Sequence, residues 1–156
     1  MRPKKLSYED FLLSLRLSPR LSLEIILEHP REGILLVLRT RSPFVNKWHL
    51  PGGFLLKGEL IDDCLRRVSK TELGQSVNVA SSEFLGLFEN IDGDPRGHLL
   101  HYVFRFKIKD SKLWLTSIKE GKGAFFKKFP KEVIPYHRDF LNKLGYSNTS
   151  TEPLKY

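Results

Sequence analysis

Between Trp48 and Gln75 the chain gathers the groups that could hold a metal ion beside a phosphate: Pro51-Gly52-Gly53, then Glu59, Arg67 and Glu72. Carboxylates and backbone carbonyls are the oxygen ligands that hard divalent cations such as magnesium take, with positions left for water or phosphate. Pro51 has no backbone donor and fixes its own φ, whereas Gly52 and Gly53 can take conformations closed to other residues and let a ligand approach the main chain. Glu59 and Glu72 stand at opposite ends of the stretch, and a loop folded back over a helix would bring both to the glycine carbonyls. A capped surface helix with solvated acids, Glu59 being favoured in its first turn by the dipole, is the other reading of the same residues.

The elements that must position these groups are a strand, a loop and a helix. Leu60, Ile61, Cys64, Leu65, Val68 and Leu73 recur at helical spacing, with Arg66, Arg67, Lys70 and Glu72 between them. Such a helix packs one side and shows carboxylates on another, and Gly74 stops it.

Gly53, five residues, Glu59, seven residues, Arg67, then Glu72 and Gly74 resembles the Nudix box, Gly-x5-Glu-x7-Arg-Glu-U-x-Glu-Glu-x-Gly-U with U aliphatic. Val68 and Thr71 stand where two of its glutamates belong, and Ser69 and Gln75 replace the aliphatic positions. The loss argues against the pyrophosphohydrolase mechanism in which several magnesium ions sit on those glutamates. Arg67 to Gly74, RVSKTELG, is similar to the reduced box of the GDP-mannose mannosyl hydrolase family, and the similarity runs from about Glu9 to Ile108.

That resemblance implies an α/β Nudix fold, a mixed β-sheet sandwiched between helices. It also implies a single Mg²⁺ on a glycine carbonyl, the surviving glutamate and a glutamine further on. Gly52 and Glu72 match the first two ligands, and Glu120 falls at the glutamine position. By the same carry-over Arg39 lies near the diphosphate, Glu24 in the nucleotide region, Tyr102 near the leaving diphosphate, and Arg67 is the box arginine. Phe54 replaces a further arginine, and Gly121 stands where the family has its histidine base. The base would then be Glu120, another carboxylate, a metal-held hydroxide, or absent. The expected site is Arg39, Arg67, Tyr102 and Glu120 for catalysis, Glu24, Arg39, Arg41 and Tyr102 for substrate, and Gly52, Glu72 and Glu120 for metal.

The expected activity is Mg²⁺-dependent hydrolysis of a nucleoside diphosphate sugar, GDP-mannose or similar, with water attacking the anomeric carbon. Attack at phosphorus is one alternative, and a nucleotide- or RNA-binding domain without turnover is another. A homodimer is implied by analogy.

A chain of 156 residues, 40% hydrophobic, is one ordinary domain. The expected division is a domain over 1–146 and a polar tail over 147–156. The single cysteine, Cys64, excludes an internal disulfide and reads as core filler in a reducing, cytoplasmic setting. No run of residues is long enough to span a bilayer, so no membrane partner is expected. A net charge of +8 attracts anions without choosing among them. The basic residues are scattered and no nucleic-acid module is evident, so a small anionic substrate is expected rather than nucleic acid. Arg31, Arg39, Arg41 and Lys47 precede the box and could hold a diphosphate.

Around the box, Tyr8 to Leu17 reads as a helix packing Phe11, Leu12 and Leu15 and ended by Pro19. Leu21 to Leu27 and Ile34 to Leu38 read as a hairpin, Arg41 to Lys47 as a loop anchored by Trp48, and Glu83 to Glu89 and Leu99 to Lys107 as strands. His98 and His101, three apart on a strand, face opposite ways and do not pair as ligands. Further on, Leu113 to Leu115 reads as a brief strand, Ile118 to Gly123 as a polar loop and Ala124 to Phe129 as a strand. Pro135 to Leu144 reads as a closing helix with Tyr136, Phe140, Leu141 and Leu144 packed and Gly145 as its stop.

Overall fold

Alternation along the central strand decides the architecture. In β1 (Arg20–His29), Leu23, Ile25 and Leu27 project to one face and Ser22, Glu24 and Ile26 to the other, and every residue from Ser22 to Leu27 is buried. A strand buried on both faces needs cover on both, which helices supply. The computed structural model describes residues 2–147 and shows that arrangement, a seven-stranded mixed sheet with helices on either side.

The chain begins with α1 (Tyr8–Leu17), capped by Ser7, and then runs through β1, β2 (Gly33–Leu38), β3 (Trp48–His49), β4 (Gly52–Phe54) and α2 (Ile61–Leu73). After a 3-10 turn at Val79–Ser81 come β5 (Glu83–Asn90), β6 (Leu99–Lys107), α3 (Ser111–Ser117), β7 (Lys122–Phe126) and α4 (Pro135–Lys143). The sheet order is β3-β2-β1-β6-β5, with β4 paired to the start of β1 and β7 to β2. β1 and β6 are parallel from Arg20↔Leu99 to Glu28↔Lys107, whereas the other pairs are antiparallel.

One core lies beneath α2 and α3, where Leu23, Ile25, Leu35 and Phe104 meet Cys64, Leu65, Val68 and Leu73. The other lies beneath α4, where Ile26, Leu36 and Val103 meet Ile134, Tyr136, Phe140 and Leu141. Leu144 packs at the edge of the second core, and Trp48 anchors its loop there edge-on to Phe126.

The structure corrects the reading in three places. Residues 113–115 are helical, because Asp110 accepts from the Leu113 amide as an N-cap and turns Trp114 and Leu115 onto the first core. The following strand spans Lys122–Phe126 rather than running to Phe129, since its length is set by pairing with β2. In α1, Leu15 is buried and Phe11 packs on Phe54, but Leu12 faces outward at 42% exposure. The expected tail lies, apart from Ser147, outside the described residues. Among the described residues no helix is long and apolar enough to cross a membrane.

Candidate active site

Gly74 ends α2 in the left-handed conformation, φ 76°, which fixes where the helix's last turn points. That turn carries Thr71 and Glu72 to a cleft of about 260 Å³ at the end of β2. Arg39 and Arg41 line it from the chain leaving β2, His49 from β3, Gly52 from β4 and Glu120 from the segment before β7. The proposed metal positions Gly52, Glu72 and Glu120, which come from separate elements, thus share one cavity with Arg39 and Arg41.

Within the cleft the charges are unequally satisfied. Arg39 Nε donates to the Pro43 carbonyl at 2.7 Å, and Arg41 Nη2 lies 3.3 Å from Glu120 Oε2. Among the described residues no hydrogen bond or close ion pair holds the Glu72 carboxylate. Burial pushes its carboxyl above the usual range, with Arg39 and Arg41 pulling it back and Glu24 and Glu120 adding to the rise. A half-buried carboxylate without a donor, near two further acids, is a setting that a cation would stabilise, so the residues present fit a divalent ion.

The two missing box glutamates leave different marks. Val68 is buried, and its Cγ2 would lie 3.0 Å from a β-carbon at Gly53, so that position is committed to apolar packing. Thr71 instead lines the cleft with no charge. Ser69, at an aliphatic position of the box, is fully buried but satisfied, donating to the Leu65 carbonyl at 2.7 Å and accepting from the Val77 amide at 3.0 Å.

Glu59 and Arg67 are brought to each other rather than to the cleft. Arg67 Nε and Nη2 donate to the two Glu59 oxygens at 2.6 and 2.8 Å, and Nη2 also donates to the Phe54 carbonyl at 2.9 Å. Glu59 further accepts the Leu56 amide at 3.0 Å, so the pair clamps the loop between β4 and α2. The Arg67 hydrogen bonds hold the Glu59 carboxyl below its usual range. Arg67 is therefore placed to position the loop.

Beneath Gly52 lies a polar layer that spacing did not reveal. Glu24 accepts from Ser22 Oγ at 2.7 Å and from His101 Nδ1 at 2.9 Å, and His137 Nε2 stands 3.6 Å from its other oxygen. All three of Glu24, His101 and His137 are buried, and their ligand atoms lie within 4.8 Å of one another, close enough to coordinate a divalent metal. The hydrogen bonding shown favours a different use. The Leu50 amide donates to His137 Nδ1 at 3.0 Å, so the neutral ring carries its proton on Nε2, the atom that would otherwise ligate. Burial alone would raise the Glu24 carboxyl, but the His137 and His101 rings hold it well below its usual range.

His49 sits between this layer and the cleft. Its Nδ1 donates to the Leu50 carbonyl at 2.7 Å, which leaves Nε2 as an acceptor. Burial, helped by His137 and Arg39, pushes its pKa down to about 3, so the ring is neutral at ordinary pH. Its place three residues before Gly52 was the signal available in the sequence; His137, on α4, offered none.

Other expected residues lie elsewhere. Glu24, 4% exposed, lies beneath the cleft and lines a small cavity of about 70 Å³ with Arg39, His49 and Gly52. Tyr102, one residue from His101, points to the opposite face of β6 and packs edge-on against Phe84 at 5.4 Å. Arg31 lines a separate groove at the β1–β2 turn with Lys127 and Tyr146. His98 lies 3.6 Å from Glu89, apart from His101 and its partners.

Residues 19–142 match the NUDIX domain family. An ADP-ribose pyrophosphatase of Methanocaldococcus jannaschii is 38% identical over 86% of this chain and 78% of its own. The low-salt glycan biosynthesis protein Agl8 of Haloferax volcanii is 33% identical over 81% of this chain and 82% of its own. The crystal structure of a MutT/nudix family protein from Enterococcus faecalis, 26% identical, superposes with a TM-score of 0.61 over 78% of this chain. The chain spans about half that protein's length, 51%. With the domain matched over most of its residues, and with the glycine turn, the Glu59–Arg67 clamp and Glu72 in place, the chain belongs to the Nudix family.

Proposed function

We propose that the protein hydrolyses a nucleoside diphosphate sugar with the help of one divalent ion, held by the Gly52 carbonyl, Glu72 and Glu120. The carrying observation is Glu72, a half-buried carboxylate with no hydrogen-bond donor, in a cleft where Val68 and Thr71 remove the other box acids. Mg²⁺ bound there would supply Lewis-acid stabilisation of the departing diphosphate. Arg39, fixed by the Pro43 carbonyl, and Arg41 offer guanidinium forks to the diphosphate oxygens. The His49 acceptor nitrogen suits a sugar hydroxyl or the attacking water rather than a phosphate oxygen, which itself only accepts. The sugar therefore lies toward His49 and the diphosphate toward the arginines.

With a single box carboxylate in the cleft, attack at the anomeric carbon is favoured over the reaction that needs several ions at phosphorus. The 38% identity to an ADP-ribose pyrophosphatase supports the second reading, attack at phosphorus on the same class of substrate.

Product analysis in ¹⁸O-labelled water with Mg²⁺ and a panel of nucleoside diphosphate sugars separates them. Label in free sugar is the expected result, whereas label in a monophosphate establishes the second reading. Tight nucleotide binding with no product would replace both by a binding domain.

A further inference from the structure

The cleft contains two arginines and two acids, and only one cation–anion pair among them is closed. Arg41 Nη2 lies 3.3 Å from Glu120 Oε2, joining the chain after β2 to the segment before β7. The two side chains are 78% and 76% exposed, so water competes for both ends and little holds them together. Arg39 Nε donates to the Pro43 carbonyl, which leaves its charge and terminal nitrogens to the cleft, and Glu72 has no donor among the described residues. Of the four, Arg41 and Glu120 alone lie within ion-pair distance, whereas Arg39 acts on Glu72 through its charge without contact.

We infer that Arg41 and Glu120 form an exchangeable pair that couples metal binding to diphosphate binding, an inference resting on the function proposed above. A cation seated on Glu72 and the Gly52 carbonyl draws Glu120 toward it, and Arg41 then loses its partner and faces the cleft as a free guanidinium. A diphosphate seated on Arg41 releases Glu120 to the cation by the same exchange run from the other side. Each ligand thus removes the contact that competes with the other. Linkage makes the effect reciprocal, because whatever diphosphate adds to metal affinity, metal must add to diphosphate affinity. The contact is weak enough to be displaced by either ligand, and its place at the cleft makes Arg41 a positioning residue for metal loading as well as a substrate contact.

The test is a double-mutant cycle read as binding on the full chain, without substrate turnover. Mn²⁺ affinity is measured by the paramagnetic signal of the free ion for the wild type, Arg41→Gln, Glu120→Gln and the double variant. Arg41→Gln is expected to tighten Mn²⁺ binding roughly 2- to 5-fold, the scale of an exposed ion pair. Glu120→Gln weakens it, and the Arg41→Gln gain falls below half its size on that background. In the reciprocal arm, inorganic pyrophosphate is titrated calorimetrically without metal, and Glu120→Gln tightens binding only when Arg41 is present. An equal Arg41→Gln gain on both backgrounds means simple charge repulsion and overturns the exchange while leaving the proposed function standing. Glu72→Gln is the control that separates the two, since unchanged Mn²⁺ binding in that variant places the ion elsewhere and removes both readings.

Discussion

The Glu24 carboxylate lies so close to Gly52 that a β-carbon at position 52 would collide with its Oε2 and with the Leu23 carbonyl. The buried acid and the glycine turn are therefore one packed unit, formed where Glu24 pairs with Gly52 between β1 and β4. Glycine is required at position 52 by this contact from below as much as by any ligand from above.

Gly52→Ala should therefore destabilise the fold by about 1–3 kcal/mol, the usual cost of overpacking. Gly53→Ala, whose nearest neighbour would be the Val68 methyl at 3.0 Å, should cost less because a side chain can shift. Urea denaturation of the two variants measures the difference, and equal losses would count against the Glu24 contact.

Glu72→Gln is expected to abolish metal-dependent turnover while stabilising the metal-free protein above neutral pH. The Glu72 carboxyl is raised in the folded state, chiefly by burial. A raised acid binds its proton more tightly when folded, so its favourable contribution is present at low pH and is lost as pH rises through the folded pKa. Melting temperatures at pH 8 without metal and with Mg²⁺ test both halves. Wild type should gain from the ion and the variant should not.

Acid should weaken the protein through its buried imidazoles. Burial lowers the pKa of His137 and takes that of His49 down to about 3. The unfolded state then binds protons that the folded state refuses, so stability is lost as pH falls from about 6.5, the ordinary histidine value, toward the folded pKa. Denaturation midpoints between pH 7.5 and 5 should decline, and His49→Asn should flatten the decline. A profile identical to the wild type's would remove His49 from this account.

Arg67→Lys keeps the charge but loses the fork that grips both Glu59 oxygens and the Phe54 carbonyl, and should cost about 1–3 kcal/mol. Because Glu59 is held below its usual range, its contribution is present above the unfolded pKa and lost as pH falls through the folded one. The gap between variant and wild type should therefore narrow in acid, which denaturation at pH 7 and pH 3.5 would show.

The framework was legible because it is written in local chemistry. Apolar residues at helical spacing marked α2, Gly74 marked its end, and alternation marked β1. Where local signals were mixed, tertiary context prevailed. The short apolar run at Leu113–Leu115 could pack as strand or helix, and the Asp110 cap with the floor offered by the first core made it helix.

The sequence by itself determined the glycine turn, the box positions of Glu59 and Arg67, and Glu72 at the last turn of α2, all within one contiguous stretch, but it set Glu59 beside Glu72, whereas in the structure Glu59 meets Arg67 away from the cleft. Only the tertiary structure decided which charges meet. It set Arg41 against Glu120, drew His101 and His137 onto Glu24, and turned Tyr102 away, because those contacts join elements 77 or more residues apart or depend on which face of a strand a side chain takes. Spacing along the chain fixes a side chain's direction within its own element, whereas its partners depend on how the elements are stacked.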